Sequence, residues 1–459
     1  MSGRIHALFG MDRATFDREL KERFQYEPPP PPAVVEKERE GRALDAAHFR
    51  SFSDLDRAYS PAARAKARRM AAELERDARQ LTHEELVLRV AEIAALADNS
   101  HTAISQDALR KGTPRVPIRT MLFADGLFVL RASAGHEDLL GARIDTIEGR
   151  RIDSVYARLA RYRGGLEAHR RLMLIPVLES PGLLNAAGLA PHPDRLSISG
   201  VLADGTPFER TIAAEQRDRA APVSNTIRLL FPSSRSKPMS SFLEPTADLP
   251  IYLHSSTELF RLGELPSDGF YIAMTHNAGS DNQPLKQFLS EALARVERDK
   301  PGFLVVDMRM NGGGDYTKSY DFARALPAAA AGAPIYVITS PWTFSAAITT
   351  LAALEDAGGD QVTIVGEPVG DRLDFWAEGG AMELPNSGIQ TFYSAARHNY
   401  AGPCTDRATC FWLNELYPVR VSTLHPDIPA PLTFAAYRAG RDPAMEAILE
   451  RELLRAERG

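Results

Sequence analysis

Strands and helices alternate along the second half of this chain, and this rhythm constrains the fold more strongly than any other feature. From about residue 225 onward, short runs rich in Val, Ile, Leu and Phe are separated by longer segments with helical periodicity. Parallel strands need a crossover connection, usually a helix, so this alternation is typical of an α/β domain with a largely parallel sheet. The pattern predicts strands at 269–274, 303–309, 335–338 and 362–365 and helices at 283–297, 317–326 and 345–357.

The first 110 residues have a helical pattern. Pro28–Pro32 predicts an extended, exposed segment, which follows a short charged helix at 13–24. A second helix begins at Ser60–Pro61 and runs to about residue 80. Thr82 and Glu85 have the spacing of a capping box, which predicts the start of a third helix. Its apolar stripe consists of Leu86, Val90, Ile93, Ala94 and Ala97.

The sequence pattern of residues 116–215 predicts a small α+β module. β-rich runs at 120–123 and 126–131 indicate paired strands, and the turn at 203–206 predicts a second hairpin. Between these pairs, residues 167–189 have a helical pattern and look like an insertion.

Charge and composition exclude several classes of protein. Lys and Arg number 54 and Asp and Glu number 60, so the net charge of −6 argues against a nucleic-acid-binding protein with a broad basic face. No run of about 18 uncharged apolar residues is present, which argues against a membrane-spanning helix. No cluster has the spacing of a metal site, so neither a metal nor an organic cofactor is implied.

Two cysteines, Cys404 and Cys410, bear on the cellular compartment. Their spacing suits a disulfide in an oxidising compartment, and two free thiols fit the sequence equally well. The apolar part of the N-terminus is too short and interrupted for a signal peptide, so the chain as given is expected to be cytoplasmic. A true start further upstream would instead give a periplasmic or secreted protein.

A glycine-rich motif, Asp307-Met-Arg-Met-Asn-Gly-Gly-Gly314, lies between a predicted buried strand and a helix. Three glycines allow a sharp turn that points backbone N–H groups into the crevice at the carboxyl end of the strand. Such N–H groups can bind an oxyanion or a phosphate. The Gly-Lys-Ser/Thr of a P-loop is missing, which disfavours the phosphate; a plain tight turn remains the alternative.

A second motif, Ser340-Pro-Trp-Thr-Phe-Ser345-Ala, also connects a predicted strand to a helix. Ser345 is expected in the first turn of that helix, beside free N–H groups and the positive end of the helix dipole. That position suits a nucleophile, although a serine there also serves as a simple helix cap. Because both turns follow neighbouring strands, they are expected to face one crevice.

A nucleophilic serine needs a base, and the chain has eleven histidines. His101, in Ser100–His101–Thr102 after the third helix, is expected in a loop from which it could reach another domain. His276, His254 and His398 are its rivals, and His276 is the strongest of these because it also ends a strand.

Taken together, these motifs resemble the tail-specific (C-terminal-processing) serine protease family. The resemblance covers residues 225–455 and extends to 116–215, which look like the family's PDZ-like module enlarged by the helical insert. Residues 60–105 look like its helical N-terminal part. The motifs that carry the resemblance are Asp307–Gly314, Thr343–Ala346, Val365–Gly370, His425–Phe434 and Tyr437–Pro443.

The resemblance implies roles for individual residues. Ser345 matches the nucleophile, and the N–H groups of Ala346 and of Gly312 or Gly313 match the oxyanion hole. One branch of the family uses a lysine base, but this chain has Arg372 there, which stays protonated. The tricorn-like branch uses a histidine from a Ser-His pair, which Ser100–His101 matches. That branch also has an orienting glutamate, for which the candidates here are Glu415, which is favoured, and Asp406.

The sequence therefore predicts a serine-type peptidase acting on polypeptides, with Ser345 as nucleophile and His101 as base. Two alternatives remain open: a non-catalytic protein that binds a small or peptidic ligand on the same fold, and an esterase or amidase. The predicted fold is a multidomain α/β protein with a crotonase-like peptidase core. Its predicted parts are an arm at 1–58, a helical subdomain at 59–112, the PDZ-like module at 113–217 and the core at 225–456.

Overall fold

A computed structural model describes residues 29–110, 112–215, 226–233, 239–246, 248–280, 282–406 and 408–457. The helix predicted at 13–24 and the first proline of the proline run lie outside this range. The remaining prolines, Pro29–Pro32, form no regular element and are largely exposed, as predicted.

Four helices open the described chain, and the predicted capping box starts the fourth. The Thr82 hydroxyl accepts from the Glu85 N–H at 3.2 Å, and the Glu85 carboxylate accepts from the Thr82 N–H at 2.8 Å. The predicted apolar stripe is buried except for half-buried Ala97. The elements are α1 (Glu38–Phe49), α2 (Phe52–Leu55), α3 (Pro61–Asp77), α4 (His83–Ala95) and the strand β1 (Ala103–Ile104).

The middle of the chain forms a seven-stranded antiparallel sheet with helices inserted between its strands. Residues 167–189 form three short helices rather than one stretch, because Pro176 and Pro181 lack the N–H that a continuing helix needs. The elements in order are β2 (Ile118–Phe123), β3 (Gly126–Ala132), β4 (Arg143–Ile147), β5 (Arg150–Arg151), α5 (Ile152–Leu159), α6 (Glu167–Met173), α7 (Ile175–Leu178), α8 (Pro181–Ala186), β6 (Arg195–Val201), β7 (Pro207–Ala213) and β8 (Ser240–Ser241).

The predicted α/β alternation is confirmed by a six-stranded sheet, ordered β18-β13-β12-β11-β10-β9. All neighbouring pairs are parallel except β9–β10, which is antiparallel. The elements are β9 (Phe260–Leu265), β10 (Gly269–Met274), α9 (Leu285–Asp299), β11 (Phe303–Asp307), α10 (Tyr320–Ala329), β12 (Ile335–Thr339), α11 (Ala346–Gly358) and β13 (Val362–Gly366).

The C-terminal part adds two small sheets, one joining β14 to β17 and one ordered β1-β16-β15, and supplies the edge strand of the large sheet. Cys404 and Cys410 form a disulfide, with their Cα atoms 5.7 Å apart. The elements are β14 (Asp374–Ala377), β15 (Gly380–Leu384), β16 (Ile389–Tyr393), β17 (Ala396–Asn399), α12 (Leu413–Leu416), β18 (Ile428–Pro429), α13 (Phe434–Arg438) and α14 (Pro443–Ala456).

Both faces of the six-stranded sheet are covered, which explains why its strands are apolar throughout. Leu304 and Val306 of β11 pack with α9, α10 and α11 on one face. Val305 packs on the opposite face with Ile448 of α14. Within the described ranges, none of the helices combines the length and the apolar character that a membrane span requires.

Candidate active site

The two predicted turns lie side by side at the carboxyl ends of β11 and β12. These strands are parallel neighbours, so the chain leaves both at the same edge of the sheet. The Thr343 hydroxyl donates to the carbonyl of Met308 at 2.9 Å, and the Phe344 N–H donates to the carbonyl of Asn311 at 3.0 Å. The glycine-rich turn and the serine turn are therefore one hydrogen-bonded unit.

Ser345 has an unusual backbone conformation at the start of α11. Its φ of 55° and ψ of −126° are strained for a residue with a side chain. Its hydroxyl makes no capping hydrogen bond to the helix, so the simple helix-cap alternative does not describe this serine. The half-buried Ser345 side chain is thus held on a sharp strand-to-helix turn, beside the N–H groups that begin α11.

Gly313 lies so close to the serine that a side chain there would collide with it. Its φ is 102°, and an added Cβ would lie 2.6 Å from Cβ of Ser345 and 3.1 Å from the amide nitrogen of Ala346. At Gly312, by contrast, a Cβ would meet nothing within 4 Å. Gly313 therefore provides the space into which the serine turn fits.

The amide groups around Ser345 differ in their hydrogen bonding. The Gly313 N–H donates to the side-chain oxygen of buried Asn311 at 3.0 Å. The N–H groups of Gly312 and Ala346 donate to no acceptor among the residues that the structure describes. These last two amides are the ones free to bind a developing negative charge beside the serine.

The imidazole of His101 lies against the serine turn, although 244 positions separate it from Ser345 in the sequence. Its ring stacks on Phe344, the residue before Ser345, with centroids 4.3 Å apart, and on Phe375 at 5.3 Å. Its Nδ1 lies 3.5 Å from Oδ2 of Asp371, a contact without hydrogen-bond geometry. Neither ring nitrogen makes a hydrogen bond within the described part of the chain.

Ser100 is buried beside His101. Its hydroxyl has no hydrogen-bond partner among the described residues, and its carbonyl accepts from Arg163 at 2.9 Å. A Cβ on Gly165 would lie 1.9 Å from that hydroxyl oxygen, so a glycine is needed there. Arg163 and Gly165 thus hold the loop that presents His101.

A cavity of about 630 Å³ opens where these elements meet. Its walls are mostly apolar, and they come from the N-terminal loop, the helical insert, both turns and the β15–β16 sheet. The wall residues that matter below are His101, His169, Gly312, Phe344, Glu378 and Phe392. The cavity is thus a cleft that ends beside the serine turn.

His169 is a second imidazole in this cleft, and no motif in the sequence marked it as a site residue. Its ring stacks on Phe344 with centroids 4.4 Å apart and an interplanar angle of 9°. Its Nδ1 lies 2.9 Å from the carbonyl oxygen of Pro341. Burial, followed by the positive charge of Arg163, lowers the pKa of His169 to about 4. His169 lies three and four residues before Leu172 and Met173, so the three side chains share one face of α6. This helical spacing was the signal in the sequence that His169 is buried.

The rings form a continuous stack that reaches another predicted residue. The order is His169, Phe344, His101, Phe375 and His398, and no interplanar angle exceeds 25°. At the far end, His398 hydrogen-bonds to the Tyr400 hydroxyl at 3.0 Å and to Glu378 at 3.2 Å. His398 is therefore engaged away from the serine.

The other two rivals of His101 lie outside the cleft. His276 is exposed, and its Nδ1 accepts from the Ala278 N–H at 3.0 Å. His254 is also exposed, and its Nε2 donates to the carbonyl of Leu249 at 2.6 Å. Of the four histidines considered from sequence, only His101 is among the residues that line the cavity.

The predicted orienting acids do not line the cleft either. Glu415 is exposed on α12, and the carboxylate of exposed Asp406 accepts from the Ala408 N–H and the Thr409 hydroxyl. Asp371 is the carboxylate beside His101, and it is 3% exposed. The sequence signal that could have pointed to Asp371 is its neighbour Arg372. Arg372 occupies the position at which one branch of the tail-specific protease family, which the chain resembles, has its lysine base. Among the described residues, no cluster of three or more His, Cys, Asp or Glu could hold a metal ion.

Comparison with known proteins supports the fold. No protein-family model and no curated protein sequence matches this chain. A structure of mature CPAF complexed with lactacystin matches over 92% of this chain and 99% of its own, with a TM-score of 0.57 at 12% identity. A structure of a serine-to-alanine mutant of CPAF matches over 88% and 95%, with a TM-score of 0.54 at 10% identity. The chain thus shares the fold of CPAF across nearly its whole length.

Proposed function

We propose that this protein is a serine peptidase that hydrolyses polypeptides through an acyl-enzyme. The observation that carries the proposal is that His101, which faces Asp371, stacks on the strained Ser345 turn and its two free amide groups, beside one cleft. The likeness to CPAF, of which a lactacystin complex and a serine-to-alanine mutant have been solved, suits a serine nucleophile on this fold.

In the first step, His101 removes the proton of the Ser345 hydroxyl as its oxygen attacks the peptide carbonyl carbon. The amides of Gly312 and Ala346 bind the resulting oxyanion, while the Gly313 amide stays with Asn311. His101 then gives its proton to the leaving amine, and the C–N bond breaks. A water molecule, deprotonated by His101, then attacks the acyl carbon, and as the ester bond breaks the imidazolium of His101 gives the proton back to the Ser345 oxygen.

Asp371 takes the role for which the sequence favoured Glu415. Its carboxylate faces Nδ1 of His101, so it favours the tautomer that leaves Nε2 free to act as base. Closing the 3.5 Å contact to a hydrogen bond needs only a small movement, and catalytic hydrogen bonds commonly tighten when substrate binds. Ser100 contributes by holding the backbone of this loop through its contact with Arg163.

The larger organisation follows from the same proposal. In this proposal residues 225–456 are the crotonase-like peptidase core, 113–217 the PDZ-like module and 59–112 the helical subdomain. The described part of the predicted arm at 1–58 is helical rather than extended over α1 and α2, and its Phe49 and Phe52 pack into the core of the helical subdomain. The PDZ-like module delivers an extended polypeptide to the cleft by adding it as a strand to a sheet edge.

A fluorophosphonate probe and unfolded β-casein test the proposal. We expect the parental protein to be labelled on Ser345 and to cleave casein, and Ser345→Ala to lose both activities by more than about 10,000-fold. His101→Ala should lose most activity, whereas the matched control His276→Ala should keep it, because His276 is exposed outside the cleft. If folded Ser345→Ala still cleaves casein at the parental rate, the proposal is wrong.

A further inference from the structure

The loop that presents His101 is fixed on both sides of the imidazole by buried hydrogen bonds. Before it, the Asn99 side chain donates to the carbonyl of Trp376 at 3.0 Å and accepts from the Trp376 N–H at 3.2 Å. After it, the Thr102 hydroxyl donates to a carboxylate oxygen of Asp56 at 2.6 Å. Neither Asn99 nor Thr102 is more than 4% exposed. The residues that flank His101 are therefore bound to distant segments of the chain.

Asp56 lies where three of these segments meet. It follows α2 directly and is fully buried. Besides the Thr102 hydroxyl, its carboxylate accepts from the Ser394 N–H at 2.8 Å, between β16 and β17, and from the Ala58 N–H at 2.8 Å. Burial raises the pKa of Asp56 to about 6, so at about pH 8 the carboxyl is ionised and can only accept. One carboxylate thus joins the end of α2, the His101 loop and a strand connection of the C-terminal part.

The hydrogen bonds around Asp56 form a closed buried set. The side-chain nitrogen of Asn99 lies 3.1 Å from the Thr102 hydroxyl oxygen and 3.0 Å from the Ser394 hydroxyl oxygen. Each carboxylate oxygen of Asp56 faces a backbone N–H, Oδ1 that of Ala58 and Oδ2 that of Ser394. An amide in place of the carboxylate would put its NH2 group against one of these donors in either orientation, and a buried donor without an acceptor is costly.

His101 depends on this loop because its ring has no hydrogen bond of its own within the described chain. Neither ring nitrogen is hydrogen-bonded, and the ring is held by stacking on Phe344 and Phe375. A general base must lie within hydrogen-bond reach of the proton that it removes. The position of the backbone around His101 therefore decides whether the imidazole reaches Ser345.

We propose that Asp56 is a positioning residue for His101. Through the Thr102 hydroxyl and the Ser394 N–H it holds the loop at the place from which the imidazole serves Ser345. Asp56 does not line the cleft, so it touches neither the substrate nor the reacting atoms. This inference rests on the proposed peptidase function and adds a residue that acts only through the base.

The first test measures Asp56→Asn at about pH 8. A displacement of about 1 Å at a reacting group costs on the order of 100-fold in rate. We therefore expect kcat for casein peptides and the fluorophosphonate labelling rate of Ser345 to fall by about 10- to 100-fold, while KM stays within about threefold. If Asp56→Asn folds poorly, Thr102→Val keeps the shape of the side chain, removes the hydroxyl that Asp56 binds and should give a loss of the same size.

Asp45→Asn is the matched control. Asp45 is a fully buried carboxylate on α1 that accepts from the Ser387 N–H and hydroxyl at 2.7 Å and from the Asn386 side chain at 2.9 Å. It ties the same helical part to the turn between β15 and β16 without touching the His101 loop. A role of Asp56 in stability alone predicts equal losses of activity in the two variants. We expect Asp45→Asn to label Ser345 within about twofold of the parental rate, with urea denaturation showing that both variants are folded.

A double-mutant cycle shows whether Asp56 acts through His101. The substrate is a p-nitrophenyl ester, because its leaving group departs without a proton. In His101→Ala, which has already lost the base, adding Asp56→Asn should change the residual Ser345-dependent rate by less than about twofold. A general distortion of the site would instead cost the double variant a further 10- to 100-fold or so.

The inference is overturned if folded Asp56→Asn and Thr102→Val both label Ser345 at the parental rate, if Asp45→Asn loses as much activity as Asp56→Asn, or if the loss persists in the His101→Ala background. Failure of the proposed function looks different, because folded Ser345→Ala would then still cleave casein, and both proposals would fall.

Discussion

Adding a single methyl group at Gly313 should disable the site without unfolding the protein. In Gly313→Ala, the new Cβ would lie 2.6 Å from Cβ of Ser345 and 2.9 Å from the Phe344 carbonyl oxygen. Carbon atoms in ordinary contact are about 3.5–4.0 Å apart, so the serine turn must move by about 1 Å. A displacement of about 1 Å at a reacting group costs on the order of 100-fold in rate. Gly313 also has a φ of 102°, where a side chain adds a strain of about 1–3 kcal/mol.

The assay compares Gly313→Ala with Gly312→Ala, a matched control because its Cβ meets nothing within 4 Å and its amide remains in place. We expect Gly313→Ala to lose at least about 100-fold in both kcat/KM and Ser345 labelling. Gly312→Ala should stay within a few-fold of the parental protein. Circular dichroism confirms that both variants are folded. Parental labelling rates in folded Gly313→Ala would refute the assignment of the two turns as one catalytic unit.

Asp371→Asn should reduce kcat/KM by about 100-fold or more, because the amide no longer stabilises protonated His101; full activity in that variant, with His101→Ala inactive, would remove Asp371 from the mechanism. Burial first, and then the negative charges of Asp427 and Asp360, raise the pKa of Glu355 to about 7, above its value in the unfolded chain. The folded state therefore tolerates the neutral carboxyl below pH ~4 but loses free energy of unfolding as the pH rises through about 7 and the carboxyl ionises. Glu355→Gln should therefore stabilise the protein at pH 8.5 by about 1 kcal/mol, a figure discounted for the half exposure of the side chain, and should raise the melting temperature accordingly. At pH 4 it should give no gain, and equal gains at both pH values would contradict the raised pKa of Glu355. Replacing Cys404 and Cys410 by Ser should lower the free energy of unfolding by about 2 kcal/mol, because the disulfide closes a short covalent loop. Urea denaturation without reductant measures this loss, and an unchanged midpoint would show that the disulfide does not stabilise the fold.

Much of the local structure could be predicted because it depends on neighbouring residues. The capping box at Thr82 and Glu85 formed as expected, since both partners lie within one helical turn. The four predicted strands of the large sheet, β10 to β13, matched their apolar runs to within two residues at each end, whereas its outer strands β9 and β18 were not predicted. That the turns after β11 and β12 share an edge also followed from parallel pairing.

Other features were missed because they depend on packing between distant segments. His169 was treated as part of a continuous helical insert, although its ring reaches the carbonyl of Pro341, 172 positions away. Asp371 was not singled out from the sequence, because its neighbour Arg372 does not indicate that Asp371 faces His101. The position of Glu415 on an exposed helix likewise depends on how that segment packs.

Hydrophobic periodicity and backbone stereochemistry act over a few residues. The types of element, the glycine and serine turns and the residue proposed as nucleophile could therefore be predicted from the sequence. Which imidazoles and which carboxylate lie beside the serine turn depends on packing between distant parts of the chain. His101 and His169 lie more than 150 positions before Ser345 in the sequence, and Asp371 lies 26 positions after it. Side-chain packing, the stack of rings around Phe344 above all, brings these groups together.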